Sequence, residues 1–171
     1  MEHIFNMRRS NMVAAEMAAY GVAVIPDIGW YNKEDLDRWA EFTAKSNIGA
    51  VAFSFQTVGR SSKSRAVWKS SVAGLRYFCQ NVPKGIRVVI VGVNSVPRMA
   101  EVFNAAGERP LTFLDTTSFY TARKGGALKE VGRDRDAKSS GMSRDQAFFK
   151  SIEVFRERIE IAKNRAFEEQ R

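Results

Sequence analysis

The 171 residues contain one cysteine and one histidine. Cys79 therefore has no partner for an internal disulfide. A zinc site built from thiolates and imidazoles needs about four ligands, so no metal site is expected. His3 stands in the opening residues, where it is not expected to activate a serine or cysteine nucleophile. No apolar run is long enough to span a bilayer, and MEHIFNMRRS lacks the pattern of a signal peptide. The expectation is a cytoplasmic protein with no membrane contact. Neither GxGxxG nor GxxxxGK[ST] occurs, so the glycines match no phosphate-loop signature.

What the chain does have is positive charge. Lys and Arg number 27 against 19 Asp and Glu, for a net charge of +8 and a pI near 9.9. Such a balance favours polyanions, nucleic acid first among them. Hydrophobic residues make up 44%, ordinary for a globular chain with a core of its own.

Apolar periodicity divides the chain into alternating elements. MRRSNMVAAEMAAY reads as a helix closed by Gly21. VAVIPDI reads as a strand. Asn32 caps a helix over KEDLDRWAEFTAK, with Leu36, Trp39, Ala40 and Thr43 on one face. IGAVAFSFQ is a strand, VGRSSKSR a basic loop, and AVWKSSVAGLRYFCQN a helix. RVVIVGV, rich in β-branched residues, is a strand. Asn94 or Ser95 caps the helix VPRMAEVFNAA, and PLTFLDTT is a fourth strand.

Strands alternating with helices imply a parallel α/β sheet. The expected organisation is a parallel α/β domain over 1–128, an exposed loop over 129–145 and an amphipathic helix over 146–171. The βα spacing fits half of a (β/α)8 barrel, or a small doubly wound sheet.

Parallel sheets place ligands beyond the carboxyl ends of their strands. Asp27, Trp30, Phe55, Gln56, Gly59, Asn94, Asp115, Arg123 and Lys124 all fall there in sequence. Carboxylates, an amide, rings and cations could hold a flat heterocycle by stacking and hydrogen bonds. Arg60, Lys63 and Arg65 lie in the neighbouring basic loop and would face phosphates. The plainer readings are a turn at Asp27, a cap at Asp115 and a packing role for Trp30.

The order of these segments resembles the second half of the tRNA-guanine transglycosylase barrel and its DNA-modifying deazaguanine relatives. YNKEDLDRWAEF is similar to that family's "EDLR" helix. IGAVAFSFQTVG resembles its base-contacting turn, and VVIVGVNSVPRMAEVFNAAG its "MGVG-P-D" stretch. LDTTSFYTARKGG resembles the segment that carries the nucleophile. The likeness covers roughly 22–129. A looser likeness joins residues 7–92 to an uncharacterised family of phage and plasmid proteins.

The resemblance implies a base exchange in which Asp115 attacks the anomeric carbon and Asp27 replaces the family's missing "DSGG" aspartate. Phe55, Gln56 and Gly59 would then fall on its base-binding turn and Arg123 near its substrate-binding arginines, while Trp30 and Asn94 join the substrate site from their place at the strand ends. No cofactor is implied, and the family's zinc motif is absent. Its early barrel half is absent as well.

The alternative expectation is a non-catalytic nucleic-acid-binding module. A homo-oligomer, or a partner chain that completes the barrel, is expected in either case, with the stripe Phe148, Ile152, Phe155 and Ile159 at the contact.

Overall fold

The computed structural model describes residues 2–46, 48–56, 62–130 and 141–168. The elements run α1 (Glu2–Ala19), α2 (Lys33–Lys45), β1 (Ala50–Ser54), α3 (Ser62–Asn81), β2 (Arg87–Val91), α4 (Val96–Ala106), β3 (Leu111–Leu114), α5 (Thr117–Arg123) and α6 (Arg144–Glu168). The chain divides into two compact units. The first is Met1–Val91 with Ala105–Thr112, and the second is Gly92–Asn104 with Phe113–Arg171.

The architecture is α/β with a small parallel sheet in the order β1-β2-β3. Ala50 pairs with Arg87 and Ser54 with Val91. The expected first strand is a correction. Among residues 22–28, the contact with the sheet is a single parallel bridge, Asp27 to Ala52. Ala52 donates to the Pro26 carbonyl at 2.8 Å and Ile28 donates to Ala52 at 2.9 Å. Val22, Ala23 and Ile25 remain exposed and Val24 is half-buried, while Ile28 is buried beside the bridge, so the run meets the core only at its end. The sheet therefore has three strands where four were expected.

In the first unit, β1 sends Val51 and Phe53 inward and β2 sends Val88 and Ile90, following the two-residue period of a strand. An aromatic chain crosses this core. Ring centroids lie 6.3 Å apart from Trp30 to Phe53, 5.4 Å from Phe53 to Phe55 and 5.0 Å from Phe55 to Trp68. Asn32 and Asp35 form a reciprocal capping box at the start of α2, which buries Leu36, Trp39, Ala40 and Thr43. Tyr77 of α3 donates to Asp37 of α2, and Lys33 joins the same carboxylate at 2.9 Å.

The end of α3 is held by an arginine distant in sequence. Arg109 is buried, and its Nη2 donates to the carbonyls of Cys79 and Val82 at 2.6 and 3.0 Å. Its Nη1 donates to those of Pro83 and Ile86 at 2.6 and 3.2 Å. A helix leaves its last carbonyls unpaired, and a cation suits that end of the macrodipole.

In the second unit, α5 and α6 pack together. α6 buries Ala147, Ser151, Val154, Phe155, Ala162 and Ala166. It starts at Arg144, two residues earlier than expected, because Ser143 and Gln146 form a reciprocal cap. Of the stripe expected at an interchain contact, Phe155 is buried and Phe148, Ile152 and Ile159 are half-buried. Of the expected loop over 129–145, residues 131–140 lie outside the described residues.

Candidate nucleic-acid interface

Asp115 sits one residue beyond β3, where the strand turns into the short helix α5. Its Oδ1 accepts from the Thr117 amide at 2.7 Å and its Oδ2 from the Ser118 amide at 2.9 Å. The Ser118 hydroxyl also donates to Oδ2. This is how a carboxylate satisfies the free amides of a helix start. Thr116 formally precedes the helix but makes no such bond.

Around Asp115 the second unit gathers a polar cluster. Asn94 Nδ2 donates to Thr117 Oγ1 at 3.1 Å. Arg158, on α6, donates to the Asn94 carbonyl at 3.0 Å and the Lys129 carbonyl at 2.6 Å. Burial pushes the Arg158 guanidinium below its ordinary value, while the charges of Asp115 and Glu157 oppose that shift. Arg158 thus ties three segments of this unit. Its helical stripe gave no hint of that role, because the residue lies outside the apolar register.

The other expected contacts divide between the units. Asn94, Arg123 and Lys124 belong to the second unit with Asp115, and both cations are exposed. Asp27, Trp30, Phe55 and Gln56 belong to the first. Desolvation raises the Asp27 carboxyl above its ordinary range, although the residue as a whole is exposed. Phe55 is 1% exposed and has no open face for a ligand. The Trp30 indole packs on Gly74, where an added Cβ would lie 2.5 Å from the ring. Gln56 is exposed. Gly59 and Arg60 lie outside the described residues, and Lys63 falls in the first turn of α3.

A stronger feature lies in the middle of the chain. From Phe42 to Ala100 there is no Asp or Glu, while Lys45, Arg60, Lys63, Arg65, Lys69, Arg76, Lys84, Arg87 and Arg98 are all basic. α3 lies within this stretch. Its apolar face buries Trp68, Val72, Leu75, Phe78 and Cys79. Arg65, Lys69 and Arg76 are exposed along its flank, about a quarter turn from that buried face. At about 100° per residue these three positions fall within about 40° of one another, a ridge about 16 Å long. The sequence signal was available as a long acid-free segment; net charge alone concealed it.

The first unit also holds a groove of about 700 Å3 between α1 and α2, floored by Trp39 and Phe42 and walled by Ala14, Ala15 and Ala18. No helix among the described residues is long and apolar enough to cross a membrane. Among the described residues no group of three or more acidic, cysteine or histidine side chains could hold a metal ion. No family model, no curated protein and no solved structure matches the chain.

Proposed function

We propose that the protein binds nucleic acid by laying the exposed face of α3 along a phosphate backbone. The observation that carries this reading is the alignment of Arg65, Lys69 and Arg76 inside a segment with no carboxylate. Neighbouring carboxylates would screen and pair such cations; here none is near in sequence. The buried face of the same helix is fixed in the core, so the ridge is presented without ordering a flexible segment.

The test is fluorescence anisotropy with a labelled duplex and a labelled single strand. Three phosphate contacts give a slope of log K against log salt of about −3 on duplex DNA between about 50 and about 200 mM salt. Reversing all three residues to Glu should abolish binding at low salt while leaving the circular dichroism spectrum unchanged. No binding at about 50 mM salt, or unchanged binding by the folded triple variant, overturns the reading.

Base exchange is the second reading. It is supported by the place of Asp115 directly after β3, with Arg158 close enough to feel its charge. Against it, capping accounts for the bonding of both Asp115 oxygens. Incorporation of labelled guanine into DNA or tRNA, lost in Asp115→Asn, would support exchange. No incorporation by the intact chain would leave binding as the function.

A further inference from the structure

The large apolar side chains described on α1, and that of Tyr20 directly after it, lie in water. Phe5 is 65% exposed, Met12 72% and Tyr20 84%. Val13 and Met17 are exposed too. The groove-facing side of the same helix is a different one, made of Asn11, Ala14, Ala15 and Ala18. The exposed side has an order of its own. Phe5, Arg9, Met12, Val13, Glu16 and Tyr20 fall within an arc of about 100°.

These six positions are symmetric about the bond between Met12 and Val13. Phe5 and Tyr20 stand equally far from it on either side, as do Arg9 and Glu16. Two copies of α1 packed antiparallel about a two-fold axis there would match every member. Phe5 would meet the other copy's Tyr20, Arg9 its Glu16, and Met12 its Val13. The seam would be apolar and aromatic, with two identical ion pairs fixing the register. This is the self-complementary pattern that a two-fold interface requires. An unrelated partner would not require the helix to be its own complement.

We propose that the protein forms a two-fold homodimer through this face of α1. The inference does not rest on the nucleic-acid reading, since none of the six residues belongs to α3.

Sedimentation equilibrium of the full chain tests it. The expected mass is twice 19.2 kDa at the upper end of a range from about 1 to about 200 µM, falling toward 19.2 kDa on dilution. Met12→Glu should raise the dissociation constant at least about tenfold. Arg9→Glu and Glu16→Arg should each weaken self-association, because each sets like charges against each other twice. Mixed one to one, these two variants should recover the dimer as a heterodimer, and the double variant R9E/E16R should recover it alone. Recovery excludes misfolding as the cause of the single losses. A monomer throughout the range overturns the proposal. So does a dimer that persists unchanged in Met12→Glu, or single charge variants that do not pair with each other.

Discussion

α1 and α3 are helices of nearly equal length, 18 and 20 residues, and they use their surfaces in opposite ways. α3 turns Trp68, Val72, Leu75, Phe78 and Cys79 into the core and its cations outward. α1 keeps Ala14 half-buried and exposes every other described side chain from Arg8 to Tyr20, bulky apolar ones included. Most helices owe their stability to the packing of one face. α3 meets that description. α1 presents a face with nothing upon it in the single chain. The difference separates a helix that builds the protein from one that is available to a second molecule.

The contrast can be broken most severely at Arg109. Arg109→Met removes a donor from each of four carbonyls, Cys79 in the last turn of α3 and Val82, Pro83 and Ile86 in the turn that follows it. A loss of about 4 kcal/mol is expected in urea denaturation, since buried acceptors lose their partners. Arg109→Lys should recover only part of it, because one ammonium cannot reproduce the fork.

Leu75 is fully buried on α3, and Leu75→Ala should cost about 3 kcal/mol. Gly74→Ala drives a Cβ into the Trp30 ring and should cost about 2 kcal/mol. Combining it with Trp30→Phe should give less than the sum of the two losses.

A pH titration gives a smaller effect. Burial pushes the Cys79 thiol from 9.0 up to about 11, with the charge of Arg109 pulling the other way. A raised thiol favours the folded state while it is protonated. That stabilisation is complete below pH 9.0 and disappears as pH rises through about 11. Cys79→Ala should flatten this limb of the stability curve.

The smallest effect belongs to α1. Met12→Ser should change unfolding by less than about 0.5 kcal/mol in dilute solution, where the chain is single. A larger loss there would mean that α1 is packed within its own chain, and the contrast with α3 would fail.

The sequence made α2 legible in detail, because Asn32, Asp35 and a four-residue buried face all agree on one register. β1, β2, β3 and α4 were legible from apolar runs and turn residues. The run at 22–28 misled because apolar content does not show how far a ladder extends, and only Asp27 bridges to β1. α5, seven residues long, was hidden by the hydroxyls and the Arg-Lys-Gly-Gly sequence that resembled a loop. At the site, the capping alternative for Asp115 was visible at once. The bonds of Arg109 and Arg158 were not, because they cross 30 and 64 residues of sequence. The ridge on α3 required asking where carboxylates are missing, a question that net charge does not pose.

The clasp on α3 also sets an order of events during synthesis. When Asn81 has left the ribosome, the helix is complete in sequence but its last turn has no cap. Arg109 is made only after β2 and α4, so the nascent chain carries an open helix end through that interval. The unit closes on a late residue, which links the survival of α3 to the return of 105–112 after the excursion through 92–104. A nascent chain stalled before Arg109 should therefore expose α3 to proteolysis, and one stalled well beyond β3 should protect it.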